Sequence, residues 1–286
     1  MSDTGTRSIL ITGCSSGIGL DAARRLATDG WQVFACCRKA EDCARLEAEG
    51  LRAPRLDYED PDSIAAAVTE ILAETGGRLD ALYHNGAYAI PGALEDLPTD
   101  GLRAIFEANL FGWHELTRLV LPVMRAQTAG ADQMHGRIVL VSSVLGFVPT
   151  KWRGAYVATK YALEGYGDVL RMEMRDVGIA VSLIEPGPIT TRFRINATLQ
   201  FERWIDWQAS PRADAYRDRL IPWLRARPKP GKGFELPPAA VTDALIHALT
   251  ARRPRRRYRV TVPTRAMAVA KRVLPEAALD WLLHRA

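Results

Sequence analysis

Short apolar runs alternate with longer amphipathic segments along most of the chain, and this alternation restricts the fold more than any other feature. The runs at 8–12, 32–36, 53–56, 81–84, 137–142, 180–185 and 257–262 read as strands. Several are continuously apolar, as strands buried on both faces are. Between them, 17–28, 62–74, 100–126, 154–177 and 238–250 carry helical patterns. Repeated strand–helix–strand units with right-handed crossovers predict an α/β fold: a doubly wound, Rossmann-type parallel sheet with helices on both faces. No fixed-period repeat and no linker divides the chain, so 1–286 is expected to form a single domain.

Two parts depart from the pattern. Segment 192–236 interleaves Phe193, Phe201, Trp204, Trp207, Tyr216, Trp223 and Phe234 with arginines, and is expected to form short helices and a mobile loop at 227–233. Segment 263–286 is expected to be a helical extension, with two apolar halves separated by Pro275.

Composition excludes several classes. With 48% hydrophobic and 25% charged residues, the chain is neither disordered nor a polytopic membrane protein. The N-terminus is polar, so no signal peptide is expected there. All of Cys14, Cys36, Cys37 and Cys43 fall early, at spacings that fit no zinc site. Reduced thiols in a cytoplasmic protein, with no metal, are the expectation. The net charge of +5 is unevenly spread: 192–236 carries ten basic and five acidic residues, and 251–259 carries six arginines and no acid. That run invites a nucleic-acid reading, but Pro254 interrupts it, and a solvated turn or dimer edge is preferred. The tail is expected to pack on the body or on a neighbouring subunit, or to rest on an anionic membrane.

The first strand runs into Thr12-Gly13-x-x-x-Gly17-x-Gly19 and a helix follows at once. Gly13 permits a tight turn, Gly17 admits a pyrophosphate close to the backbone, and Gly19 lets the helix approach the sheet. The helix N-terminus, with Ser15, Ser16 and Ile18, then offers N–H groups to phosphate. The second strand ends Cys37-Arg38-Lys39, with no carboxylate for a ribose diol. Arg38 and Lys39 suit a 2′-phosphate, so NADP(H) is favoured, with NAD(H) as the alternative. Asp57 either accepts from the adenine amine or is a simple turn carboxylate.

Tyr156 and Lys160 are spaced to share one helix face. An ammonium beside a phenol favours phenolate and makes Tyr156 a usable acid/base. Ser142 and Ser143 close an apolar strand where ligands sit in parallel sheets. Asn109 interrupts an otherwise apolar helix and needs buried partners.

Taken in order, the glycine turn, Asp57, His84-Asn85-Gly86-Ala87, the Ser143/Tyr156/Lys160 set and Pro186-Gly187 resemble the short-chain dehydrogenase/reductase family, closely over 7–191 and loosely over 237–262. The layout resembles the hydroxysteroid and retinol dehydrogenase-like members.

The resemblance implies an NAD(P)-dependent oxidoreductase. In it, Tyr156 is the acid/base, Lys160 lowers its pKa and bonds the nicotinamide ribose, Ser143 orients the reacting oxygen, and Asn109 holds a relay water. Asn85, Pro186, Gly187, Ile189 and Thr191 line the nicotinamide side. Segment 192–236 becomes a substrate lid, for a lipophilic alcohol or ketone or for one with an acidic head group. Homodimers or tetramers through 100–126 and 154–177 are implied. The family's usual Asn-Asn-Ala-Gly stands here as His84-Asn85-Gly86-Ala87, with His84 read as a hydrogen-bonded structural residue. A catalytically silent NADPH sensor on the same fold is the alternative function. It is disfavoured because Asn109, Ser143, Tyr156 and Lys160 are all present.

Overall fold

The computed structural model describes residues 6–130, 133–226 and 234–285. Strands β1 (Ser8–Thr12), β2 (Gln32–Cys36), β3 (Ala81–His84), β4 (Gly136–Val141), β5 (Ile179–Glu185) and β6 (Arg257–Arg259) form one sheet in the order β2-β1-β3-β4-β5-β6. Every pairing is parallel. β1 through β5 are buried along nearly their whole length, which explains their continuous apolar sequences.

The helices are α1 (Gly17–Thr28), α2 (Ala40–Ala48), α3 (Pro61–Glu74), α4 (Thr99–Phe106), α5 (Gly112–Ala126), α6 (Gly154–Glu173), α7 (Phe193–Trp204), α8 (Ala213–Ala215), α9 (Ile221–Arg225), α10 (Ala239–Thr250), α11 (Val262–Val273) and α12 (Glu276–Arg285). α1 packs with α10, and α3 packs with α5, giving a layer on each face of the sheet. Asp60 caps α3 by accepting from the Ser63 N–H at 3.1 Å, and Pro61 opens it.

Four local expectations are corrected. Segment 53–56 is no strand: only two isolated parallel bridges, Phe34 with Arg52 and Cys37 with Arg55, extend the sheet beyond β2. Pro54, which lacks an N–H, lies between them. The helix expected over 100–126 is broken by a π turn at Glu107–Phe111, with Asn109 inside it. The last strand stops at Arg259, because Thr261 accepts from Thr264 N–H and starts α11. The sequence pattern also missed α2, a nine-residue helix with two buried side chains.

The arginines of the last strand are partly buried and ion-paired rather than free in solvent. Arg257 reaches Glu164 at 3.0 Å, Asp168 at 2.7 Å and Glu185 at 2.8 Å, while Arg259 holds Glu185 at 3.0 Å. The charge run thus turns two of its members inward to neutralise acids on α6 and β5.

Segment 192–236 packs on the body through a second apolar cluster, separate from the sheet core. Phe201, Ile205, Tyr216, Leu220 and Leu224 meet Ala89, Ile90, Ile105, Ala155 and Tyr156 there. Phe201 and Tyr216 are therefore packing residues rather than free pocket walls. The Tyr216 hydroxyl donates to Asp96 at 2.6 Å and accepts from Ala93 N–H at 2.8 Å. The loop expected at 227–233 lies outside the described residues.

In the tail, α11 and α12 part at Leu274-Pro275. Thr264 and Ala268 are buried on the body side of α11. Lys271 Nζ donates to Phe147 O at 2.6 Å, and a Cβ on Gly187 would lie 2.1 Å from Thr261 Oγ1. The extension thus touches the loops that follow both β4 and β5.

Candidate active site

Strand order reverses between β1, whose chain continues to β2, and β3, and the crevice above this point is where open parallel sheets bind ligands. A groove of about 430 Å³ opens there, lined by Thr12, Gly13, Ser15, Ser16, Arg38, Lys39, Asp57, Gly86 and Ala87, with Arg192, Asn196 and Gln200 opposite.

Gly13 sits at φ 70° and Gly17 at φ 61°, a region that L side chains avoid. A Cβ on Gly19 would lie 2.5 Å from Gly13 O and 2.7 Å from Asn85 Nδ2. The turn is therefore folded tightly onto the end of β3. Ser16 precedes α1 without using its hydroxyl as a cap, so the first N–H groups of that helix are left for another acceptor. A tight glycine turn, an uncapped helix N-terminus and the Arg38/Lys39 pair are the donor set a dinucleotide's phosphates need.

Thr12 Oγ1 is the knot of this wall. It accepts from Tyr58 OH at 2.8 Å, Asn85 N–H at 2.9 Å and Gly86 N–H at 3.1 Å. The Asn85 amide donates to Thr12 O at 3.1 Å and Gly13 O at 3.3 Å, fastening β3 to the glycine turn. Asp57 Oδ1 accepts from Glu59 N–H at 3.1 Å, so the turn role is realised while the residue also borders the groove.

His84 is fully buried. Its Nδ1 meets Tyr58 OH at 2.7 Å, its Nε2 meets Thr117 Oγ1 at 2.9 Å, and its ring stacks on Trp113. Burial and the nearby Lys160 push its pKa down to about 3, which keeps it neutral. The histidine ties β3 to α5 and presents nothing to the groove.

At the chemical end, Tyr156 and Lys160 are both buried on one face of α6. Lys160 Nζ donates to Val141 O at 2.7 Å, lies 4.6 Å from the Trp113 ring and 5.6 Å from the Tyr156 ring. Burial pushes the ammonium down to about 7, against the opposing pull of Glu164 one turn further on. Burial pushes the Tyr156 phenol up, while its hydrogen bond with Ser143 lowers it. Burial is thus the largest influence on both groups: it outweighs the Ser143 hydrogen bond at the phenol and the Glu164 carboxylate at the ammonium.

Ser143 sits just after β4 in extended backbone, and its hydroxyl accepts from Leu145 N–H at 3.1 Å. Asn109 is fully buried. Its amide donates to Tyr88 O at 2.9 Å and Thr159 Oγ1 at 3.2 Å and accepts from Tyr88 N–H at 3.1 Å. Both its N–H groups are thus engaged, and they brace α6 against the loop after β3. Pro186 O accepts from Val144 N–H at 2.8 Å, tying the two strand ends together. Thr191 closes on the glycine turn, 3.0 Å from where a Gly17 Cβ would stand. Ile189 pairs with Leu236 beside it.

Residues 7–200 match the family profile described as short chain dehydrogenase. The chain belongs to the short-chain dehydrogenase family. It is an oxidoreductase of CH–OH and C=O groups. Among its relatives, the Escherichia coli protein named "Uncharacterized oxidoreductase YbbO" is 40% identical over 97% of this chain and 94% of its own length. The "17-beta-hydroxysteroid dehydrogenase type 6" of Rattus norvegicus is 33% identical over 96% of this chain and 87% of its own. A solved short-chain dehydrogenase from Streptomyces avermitilis superposes with TM-score 0.75 at 27% identity, covering 99% of this chain and 95% of that one.

Sequence reasoning named Thr12 only as part of the glycine motif and passed over three residues around this short-chain dehydrogenase's site: Tyr58, Thr159 and Glu164. Glu164 was detectable, standing one helical turn past Lys160 as Lys160 stands past Tyr156. Thr159 and Tyr58 carry no such signal, because their partners come from distant elements.

Proposed function

We propose that this short-chain dehydrogenase uses NADP(H) to interconvert a bulky, lipophilic ketone or aldehyde and its alcohol, with reduction the favoured direction. The observation that carries the proposal is the buried Tyr156/Lys160 pair at the end of β4, linked through Thr159 and Asn109 to Tyr88 of the glycine-turn groove.

The dinucleotide would be held by Gly13, Ser15, Ser16, Gly17, Ile18 and Gly19 at its phosphates, and by Arg38, Lys39 and Asp57 at its adenosine end. Asn85, Pro186, Gly187, Ile189 and Thr191 would flank its nicotinamide. When bound, it supplies or accepts the hydride. Tyr156 moves the hydroxyl proton at its phenol oxygen, and Ser143 orients the substrate oxygen toward it. Lys160 supplies a cation close to the phenol, held in place by Val141 O. Asn109 keeps α6 in register through Thr159, and a relay water would use its main chain, since both its amide N–H groups are taken.

The preference for NADP(H) rests on Arg38 and Lys39 at the groove edge, with buried Cys37 where a diol-binding acid would stand. The lipophilic substrate rests on the aromatic lid, where Phe193 packs edge-on to Tyr156 at 5.3 Å. The fold is read as one domain with 192–236 as lid and 263–286 as extension.

Dimers or tetramers would form through α4–α5 and α6, whose outer faces expose Phe111, Tyr161, Val169 and Met172. The four free, buried thiols fit a reducing cytoplasm. No helix among the described residues is long and apolar enough to cross a membrane. α11 does expose Val262, Ala266, Val269 and Val273 as one stripe beside Arg265 and Arg272, which suits peripheral contact with an anionic bilayer. No nucleic-acid partner is proposed.

Nicotinamide absorbance over a panel of apolar ketones and aldehydes tests the central proposal, with NADPH and NADH in parallel and Tyr156→Phe as control. NADPH-dependent turnover lost in the variant supports it. Turnover that survives sinks the role of Tyr156. Tight NADPH binding with no turnover on any carbonyl favours the silent sensor.

A further inference from the structure

Two arginines of the substrate side have no ion-pair partner among the described residues. Arg153 directly precedes α6, one turn before Tyr156, and Arg194 lies in the first turn of α7. Their guanidinium carbons lie 4.1 Å and 5.2 Å from the same ring, Trp223 of α9. Arg153 Nη1 is buried and has no hydrogen-bond partner among the described residues. Neither side chain forms an ion pair there, whereas Arg212 and Arg217 of the same lid take Glu95, Asp214 and Asp218.

An unpaired buried guanidinium N–H is costly, and two adjacent cations raise that cost. Burial, and then the charge of Arg194, pushes Arg153 down to about 10. The backbone is also strained at this point: Trp152 holds φ 64°, pinned where Gly92 N–H donates to its carbonyl at 3.0 Å. Strain, desolvation and like-charge repulsion coincide at Arg153, and an anion bound there would relieve the last two.

The position identifies whose anion this is. Arg192 lines the dinucleotide groove, but Arg153 and Arg194 do not. Phe193, next to Arg194, packs against the Tyr156 ring, so the pair stands on the substrate side of the reacting phenol.

We propose that Arg153 and Arg194, backed by Trp223, form a subsite for a carboxylate carried by the carbonyl substrate. The substrate is then amphipathic: an apolar body against the aromatic lid, a carbonyl at Tyr156 and an acidic head at the arginine pair. This rests on the oxidoreductase reading above and narrows its substrate class.

The test compares a medium-chain ω-oxo carboxylic acid with its methyl ester, by NADPH oxidation, in the natural protein, Arg153→Gln, Arg194→Gln and Arg153→Lys. The natural protein is expected to favour the acid by about tenfold or more in kcat/KM, as charge-assisted hydrogen bonds do. Each glutamine variant should bring the acid-to-ester ratio close to one, mainly through KM, and the lysine variant should recover part of it. Arg194 is only half-buried, so its variant keeps the test usable where Arg153→Gln folds poorly.

Calorimetric titration with a saturated fatty carboxylate and its methyl ester reads the same subsite without turnover. Equal use of acid and ester, or a preference that survives both glutamine variants, overturns the subsite and leaves the oxidoreductase reading intact. Arginine-dependent carboxylate binding without turnover of either carbonyl supports the subsite and counts against that reading.

Discussion

Replacing Arg257 with Met should destabilise the fold by an amount that depends on pH. Three carboxylates converge on this guanidinium: Glu164 at 3.0 Å, Asp168 at 2.7 Å and Glu185 at 2.8 Å. The Glu185 side chain is only 1% exposed and that of Glu164 11%. Removing one partner of a buried pair costs about 3–5 kcal/mol, because the other charge stays buried. Arg257 is a quarter exposed and Arg259 remains on Glu185, so the lower end applies, about 3 kcal/mol near neutral pH.

At about 2–4 °C per kcal/mol for chains approaching this size, the melting temperature should fall by roughly 6–12 °C. The sign with pH follows from the carboxylates. Arg257 holds Asp168 below the usual range, so that group stabilises above its unfolded pKa and the gain is lost as pH falls through its folded value. Glu185 is pushed up by burial and then by Glu164, so its contribution is present below its unfolded pKa and is lost as pH rises. Without Arg257 the folded pKa of Asp168 moves back up and that of Glu185 rises further. The penalty of Arg257→Met should then be largest near pH 8 and shrink toward pH 5. Urea unfolding at pH 5, 6.5 and 8 measures it. A loss below about 1 kcal/mol at pH 8, or one that does not vary with pH, would refute the buried-network reasoning.

Lys160→Met should remove a pH slope. Lys160 is pushed down to about 7 when folded, so unfolded chains bind more protons between there and about 10.4, and wild-type stability gains from this group as pH rises through that window. Urea midpoints at pH 7 and 9 should rise less in the variant, while turnover collapses. Gly19→Ala drives a Cβ to 2.5 Å from Gly13 O and should cost about 1–3 kcal/mol of stability, with NADPH binding weakened, as melting with and without cofactor would record. Arg38→Gln should raise the Kd for NADPH about tenfold or more and leave that for NADH unchanged, by fluorescence titration.

The glycine turn was legible in the sequence because glycine takes its φ values without strain, and the Tyr156/Lys160 face was legible because helical spacing alone sets it. The effect of burial was not. It depends on the apolar cluster that 192–236 builds around Tyr156 from far along the chain. The break at Asn109 left a trace, a polar residue in an apolar helix, but an inserted π residue has no periodic signature of its own. Arg257 and Arg259 looked solvated because their acids lie tens of residues away. Segment 53–56 looked like a strand from its apolar residues, and Pro54 was the contrary sign.

The contact between Gly187 and Thr261, with the bond from Lys271 to Phe147 O, makes the tail a clasp across the loops that follow β4 and β5. Those loops carry Ser143 on one side and Ile189 and Thr191 on the other. Whatever grips or displaces α11 therefore pulls on both jaws at once. The C-terminus is therefore no neutral appendage: a graft that keeps the sheet but changes the clasp should shift both loops together.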